Sequence, residues 1–479
     1  MTRVVIRLVA ALTLACATIA WSQSAIDFER DAIAAFNEGD FESAAAAFRE
    51  QIGLDPDNFV PRYNLAAALA RLGELDDAMR SLERSIELGM SDPRQIRGDR
   101  DLAPLRGRDD FRRILDNWPA IAQAQRNARL QRDATLVRRV RTQTAIDELK
   151  VDLISGSVEG VTDIAADQVA RVAAWTEEHL GFEPPDDDDA WVVVALPQQA
   201  EFHRWSVASL GANPAGVASV GGAYEHDRKR LVTRDISSTL RHEFVHVLHW
   251  RDMTRRGQRH PLWIQEGLAA LVEDYDAPFT LTASWRTNIV KRNADRNRLL
   301  TMEELTERGR RRLTGTRSLA NYAQSREVMR YLLTLGSLRA WYETYTADAE
   351  RGYDADPSGV RAIEHATGLE IATFERQFEA WIEGQPFVPE DLTDLGVTLG
   401  FDVSNGAGDG PRVDRLSFEA RRETGLRQGD VILSINGEPV GELLELTRRL
   451  SGLRAGTVVE VGYRRGRLVG GARVRLLSR

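Results

Sequence analysis

The chain has 479 residues, too many for one ordinary hydrophobic core, so two to four domains are expected. With 43% hydrophobic and 28% charged residues, the composition is that of a globular protein and excludes a disordered or membrane-embedded one. A formal net charge of -9 argues against nucleic-acid binding, and the basic clusters at 126–133 and 308–317 read as solvated faces.

At the N-terminus, Arg3 and Arg7 precede a mostly apolar run over 8–20, and small residues follow at Ala20, Ser22, Ser24 and Ala25. This layout predicts a cleaved secretory signal over residues 1–24 and an exported chain, in the periplasm. The apolar run is too short for a comfortable bilayer span, which takes about 20 residues, so the mature chain is expected to have no stable one. Cleavage removes Cys16, the single cysteine, leaving an exported protein built without disulfides. Acylation at Cys16 as a lipoprotein is the alternative, against which Thr13 stands where such signals place an aliphatic residue.

Residues 28–92 repeat themselves. Gly39 falls on Gly73, Phe41 on Leu75, Ala44 on Ala78 and Phe48 on Leu82, all at one constant offset. That offset matches a helix-pair repeat period of about 34 residues. Small residues let paired helices approach while the large ones fill the stack. The segment resembles a tetratricopeptide unit, with 101–118 as a weaker capping piece. Such stacks serve as docking surfaces for protein partners, and a packing or spacer role is the alternative. An Arg-rich helical linker is expected over 121–150, followed by a helix over 161–180 from its apolar spacing. "PPDDDD" (184–189) reads as an exposed turn, since it lacks the spaced glycine and distal Glu of a calcium loop. "AWVVVAL" (190–196) reads as a buried strand, and 216–234 as two strands joined by a polar turn.

The stretch "STLRHEFVHVLHW" (238–250) comes next. Residues four apart share a helix face, so His242 and His246 can bind one metal ion, with Glu243 beside them as a general base. Ser237 or Ser238 is the expected N-cap. Glu266, in "WIQEGLA", follows after a gap long enough for a loop to turn the chain back, and would complete a two-His, one-carboxylate set of the kind catalytic zinc takes. "HEFVH" followed by "WIQEGLA" resembles the gluzincin metallopeptidases, particularly the peptidase-MA-like group. The resemblance implies a thermolysin-like domain (a small sheet plus a helical lobe), one zinc ion held by His242, His246 and Glu266, Glu243 as catalytic base, and a polypeptide substrate. It also implies an oxyanion-stabilising tyrosine downstream of the third ligand, for which Tyr322 in "NYAQSREVMRYLL" is the candidate; a half-buried helix-start tyrosine without a catalytic role is the alternative. Glu225, in "GGAYEH", faintly resembles an aminopeptidase amine anchor but reads better as part of the polar turn. The strand around 221–224 is a candidate edge for an extended substrate. His249 and His260 could stand behind the ligands or simply pack. Ala270 occupies the place where thermolysin-like enzymes put an Asp, leaving Glu273 to orient a ligand histidine.

Beyond a Pro-containing linker (384–392), short strands and glycines dominate. The segment 390–479, most specifically "GLRQGDVILSINGEPV" (425–440), resembles a bacterial PDZ domain. That family accepts peptides, protein C-termini among them, by β-augmentation, which would involve Leu395, Gly396 and Val397 with the helix from about Gly441 to Leu450 as the other wall; a PDZ domain that packs on the protease and binds nothing is the alternative. The expected units are therefore a signal (1–24), helical repeats (25–120), a linker (121–150), a metallopeptidase domain (151–385) and a PDZ domain (390–479), a multidomain α+β chain. An inactive adaptor binding proteins through its two flanking modules is the rival reading.

Overall fold

The computed structural model describes residues 23–156, 160–210, 221–276, 279–311, 318–349, 356–405, 410–466 and 468–479. Residues 1–22 of the expected signal, Cys16 among them, lie outside these residues, as does the greater part of the 308–317 cluster. Among the described residues no helix is long and apolar enough to cross a membrane.

Four helices, α1 (Gln23–Glu38), α2 (Phe41–Leu54), α3 (Phe59–Leu72) and α4 (Leu75–Leu88), form the repeat. Gly39 and Gly73 follow the first helix of each pair at φ +87° and +85°, a backbone state that glycine adopts without Cβ strain and that ends a helix sharply. Ala44, Ala78, Phe48 and Leu82 are fully buried, as the constant offset between them requires. Helices α5 (Pro93–Gly98) and α6 (Asp109–Asp116) close the stack, with Phe111 in its core.

The expected helical linker is corrected. Helix α7 (Trp118–Asp133) stops at Asp133, and 142–146 forms β1 (Thr142–Ile146), whose alternating exposure is that of a half-covered strand. The helix is glued to the sheet: Arg126 makes a two-pronged ion pair with the fully buried Asp152, 2.8 Å in each arm, and its guanidinium lies 3.2 Å from the Trp191 ring centre. The 126–133 cluster is thus partly a packing surface and not a wholly solvated face. Strands β1, β2 (Val151–Ser155), β3 (Val192–Leu196), β4 (Gly222–Glu225) and β5 (Arg230–Thr233) form a sheet in the order β1-β2-β3-β5-β4. Its three central strands run parallel and β4 is an antiparallel edge. Helix α8 (Val161–Leu180) covers it, and α9 (Gln199–Leu210) follows β3.

A helical lobe completes the middle of the chain: α10 (Ser238–Arg256), α11 (Leu262–Leu271), α12 (Trp285–Ala294), α13 (Met302–Arg311), α14 (Ser318–Thr334), α15 (Leu338–Ala349), α16 (Val360–Thr367) and α17 (Ile371–Glu383). Between α11 and α12 two short strands, β6 (Tyr275–Asp276) and β7 (Thr280–Leu281), pair antiparallel. The 184–189 turn has a structural role the sequence did not suggest. Asp186 and Asp188 meet Arg94 and Arg97 of α5, while Asp189 meets Arg94 at 3.2 Å and also Arg255 of α10. The turn clamps the repeat against the central domain.

The C-terminal region carries β8 (Val397–Thr398), β9 (Asp402–Asn405), β10 (Pro411–Arg415), α18 (Phe418–Thr424), β11 (Val431–Ile435), β12 (Glu438–Pro439), α19 (Leu443–Leu450), β13 (Val458–Arg465), β14 (Leu468–Arg475) and β15 (Leu477–Ser478). Asn436 and Gly437 at φ +52° and +83° make the tight hairpin that "ING" signals. The segment expected to receive peptide is already engaged. Leu395 and Val397 are buried in the domain core, β8 pairs with the C-terminal β15, and Arg479 N–H donates to Gly396 O at 3.2 Å. In the larger sheet of this region β9 is one edge, neighbouring β10 alone in the strand order and facing α19, and β14 is the other.

Candidate metal centre

Helix α10 is buried along nearly its whole length, with Phe244, Val245 and Val247 in the core, which fixes its rotation about its axis. Its N-terminal cap differs from expectation. Ser237 makes no side-chain capping bond; Asp235 Oδ1 instead accepts from the backbone N–H groups of Ser237 (2.9 Å) and Thr239 (3.2 Å). A carboxylate there also complements the helix dipole.

On this helix His242 and His246 bring their Nε2 atoms to 3.2 Å, and Glu266 of α11 places its carboxylate 3.4 and 3.8 Å from them. One donor atom from each of the three residues lies within 4.8 Å of the others, so the cluster can hold a metal ion. The donor set fits: Glu266 Oε1 is buried without a hydrogen-bond partner, beside two ring nitrogens that face each other. One divalent cation answers all three demands.

Gly267 explains how Glu266 reaches this point. A Cβ there would come within 3.1 Å of Ser325 O and Met329 Cγ, so α11 and α14 approach too closely for a side chain. The same helix α14 carries Tyr322 into a cleft of about 330 Å³ that also holds His242, Glu243 and Glu266. Gly221 and Gly222 line this cleft too, and a Cβ on either would collide with Thr239, bringing β4 tight against the start of α10.

Glu243 is buried and accepts the Tyr224 backbone N–H at 3.0 Å. Burial, disfavouring the charged form, pushes its carboxyl up to about 7. Burial also presses His246 down to about 3, whereas for His242 that pressure is outweighed by Glu266 and Glu273, which raise it to about 10.

Glu273 stands behind His242, its Oε1 2.8 Å from Nδ1, and Arg286 grips the same carboxylate at 2.6 and 2.7 Å. Although burial opposes its charge, Arg286 and His242 hold Glu273 well below the usual carboxylate range. The sequence pattern offered no signal for Arg286, which lies in an unremarkable helix start. Glu442, from the C-terminal region, also lines the cleft and was not anticipated, because nothing local to its sequence relates it to residue 242.

The other candidates lie apart from the cluster. Glu225 is held by Arg230 Nε at 2.8 Å and Trp205 Nε1 at 3.3 Å. His249 stacks on Phe182 and meets His260 at 2.7 Å, and His260 meets Gln258 at 2.9 Å, a buried polar chain separate from the three ligand candidates.

Comparison with known proteins covers the two ends. The tetratricopeptide repeat family matches residues 35–96 and the PDZ domain family residues 397–476. A 68-residue stretch is 35% identical to "Probable periplasmic serine endoprotease DegP-like" of Rhizobium meliloti (strain 1021), covering 14% of this chain and 13% of that protein. A crystal structure of an aminopeptidase N family protein from Idiomarina loihiensis aligns at 13% identity and a TM-score of 0.28, over 70% of this chain and 66% of that one. The chain is therefore a mixed helix and sheet protein with a tetratricopeptide repeat before its central region and a PDZ domain after it.

Proposed function

We propose that this protein is an exported, zinc-dependent metallopeptidase whose flanking modules engage proteins. One observation carries the reading: His242, His246 and Glu266 converge within 4.8 Å in a cleft that also holds Glu243 and Tyr322. A bound zinc ion supplies Lewis acidity towards water and towards a carbonyl.

The chain's own residues do the rest. Glu243 takes the proton from the attacking water and returns it to the leaving amine. Its hydrogen bond from Tyr224 N–H fixes the carboxylate beside the cleft. The Tyr322 hydroxyl donates to the oxyanion that develops as the carbonyl is attacked, an interaction worth most in a site shielded from water. Glu273 and Arg286 orient the His242 ring. The β4 edge, with Gly222 at its start and Gly221 just before it bordering the cleft, offers its backbone to an extended substrate. In the PDZ domain we place the peptide-accepting edge at β9 beside α19, rather than at Leu395, Gly396 and Val397, because the backbone of that segment is paired with the C-terminal strand.

The decisive experiment measures zinc in the purified wild type, Glu266→Ala and Glu243→Gln. One equivalent in the wild type, its loss in Glu266→Ala, and full zinc without peptide hydrolysis in Glu243→Gln are expected. A Glu243→Gln protein with full activity, or a well-folded wild type that cannot be loaded with zinc, would turn the reading towards the inactive adaptor.

A further inference from the structure

One residue of the cleft around His242 comes from the far end of the chain. Glu442 immediately precedes α19 of the PDZ domain, yet it lines the cleft of about 330 Å³ together with His242, Glu243, Glu266 and Tyr322. Its backbone is fixed on both sides. Gly441 N–H donates to Glu445 Oε2 at 2.7 Å, and Leu443 N–H donates to Asn405 Oδ1 at 2.9 Å. Glu445 is in turn bonded at 2.7 Å to Arg241, the neighbour of His242 on α10. The PDZ domain therefore supplies part of one wall of the central cleft and holds a carboxylate there.

That carboxylate has no task within the fold. A side chain at a helix N-cap ordinarily accepts one of the first free N–H groups, but Glu442 makes no capping bond. Among the described residues no hydrogen bond or ion pair reaches it, although it is only partly exposed. The acids around it are engaged: Glu243 accepts Tyr224 N–H, Glu273 holds His242 and Arg286, Asp235 caps α10 and Glu445 pairs with Arg241. Asp274 is engaged by half. It is 7% exposed and lines the same cleft; its Oδ1 stands 3.5 Å from Arg448, whereas its Oδ2 is buried without a hydrogen-bond partner.

Chemistry narrows what would complete this pair. Burial, with Glu445, Asp235 and Asp274 close by, pushes the Glu442 carboxyl up to about 8, and Arg234 offsets only part of that push. Arg286, the other arginine of the cleft, is committed to Glu273. A carboxylate in this setting regains its charge when a cation is brought against it, whereas an apolar or anionic group would leave it isolated. The natural occupant of a substrate cleft is the substrate, so the cation that suits Glu442 is one the substrate carries. We infer that Glu442, together with Asp274, is a specificity-determining carboxylate that receives a positively charged group of the peptide substrate, an ammonium or a guanidinium. The inference rests on the peptidase reading and adds to it a substrate class and a part for the PDZ domain in building the cleft.

The test uses the full mature chain carrying Glu243→Gln, which is expected to keep zinc without cleaving, so that binding is read without turnover. Fluorescence anisotropy is followed with Ala-Ala-X-Ala-Ala-Cys amides labelled on the cysteine, X being lysine or norleucine and the N-terminus free or acetylated. The amide offers no free carboxylate to the PDZ edge. A cation-bearing peptide is expected to bind about tenfold or more tightly than the acetylated norleucine peptide, with the gain shrinking as salt rises. A gain from lysine assigns the subsite to a side chain, and a gain from the free N-terminus assigns it to the α-amine. Glu442→Gln and Asp274→Asn should each remove most of that gain while zinc content stays at the parent's value. The two lie on different domains, so misfolding of one, seen in its melting curve, leaves the other informative. No gain from either cation, or a gain that survives in either well-folded variant, would overturn the subsite. Zinc content and peptide hydrolysis by the chain with Glu243 intact read the peptidase proposal separately, so each can fail without the other.

Discussion

At the residue scale, the orientation of His242 depends on one carboxylate with two duties. Glu273 accepts from His242 Nδ1 and neutralises Arg286, both of them buried or nearly so. Glu273→Gln keeps the shape but removes the charge, so zinc affinity should fall by about 10- to 100-fold, the range for losing a ligand's supporting partner. A competition titration against a chromophoric chelator measures it, and unchanged affinity would show that the His242 ring is set by packing alone. Residue spacing pointed to His242, Glu243 and His246 as neighbours because helix periodicity converts sequence distance into direction, whereas Glu266, on a separate helix, was suggested by the resemblance that "WIQEGLA" carries. Spacing could not reveal Arg286 or Glu442, which reach the site through tertiary contacts.

At the scale of elements, the α11–α14 contact places both Glu266 and Tyr322. Gly267→Val would force a side chain into the backbone of α14 at Ser325, where it cannot yield cheaply. Overpacking of this kind costs about 1–3 kcal/mol, so a lower melting temperature together with weakened zinc binding is expected; a stable variant with normal zinc would show that the helices part easily. Helix α10 and the loop after it also carry an acid-sensitive pair. Burial depresses His249 to about 3 and His260 to about 2, so both stay neutral in the folded chain. Below their ordinary value of about 6.5 the unfolded chain takes up protons that the folded chain refuses, and each such site removes up to about 1.4 kcal/mol per pH unit. The contribution of this pair is therefore intact above about pH 6.5 and declines steadily as the pH falls from there towards about 3. Melting curves across this window should show the decline, and His260→Gln should flatten it; an identical profile in the variant would place the acid sensitivity elsewhere.

At the scale of the whole molecule, the PDZ domain is joined to helix α10 rather than tethered beyond it. Arg241, next to His242, is fully buried and bonds to Val272 O at 2.9 Å, Gln168 at 2.8 Å and Glu445 of α19 at 2.7 Å. Glu445 also accepts Gly441 N–H at 2.7 Å, and a Cβ on Gly441 would run into Ser237. Around this contact Tyr275 donates to Glu438, and Arg449 reaches Tyr275 O at 2.9 Å. Glu445→Ala leaves Arg241 charged and buried without its partner, a loss of about 3–5 kcal/mol. The central and PDZ regions should then melt at different temperatures in calorimetry, where the wild type is expected to melt as one unit. A single unshifted transition in the variant would mean that the ion pair does not join them.

The sequence alone determined what is periodic or local. The helix-pair repeat, the α8 helix, the β3 strand and the shared face of His242 and His246 all follow from spacings that backbone geometry reads directly. Only the tertiary structure decided what depends on remote partners. It turned the linker end into β1, made 184–189 a clamp, and paired β8 with the C-terminal strand. It also set Glu442 in the cleft beside His242 and gathered arginines from two domains around one cavity. The reason is physical: periodicity fixes which way a side chain points from its own element, whereas the partner it meets is selected by packing among elements far apart in the chain.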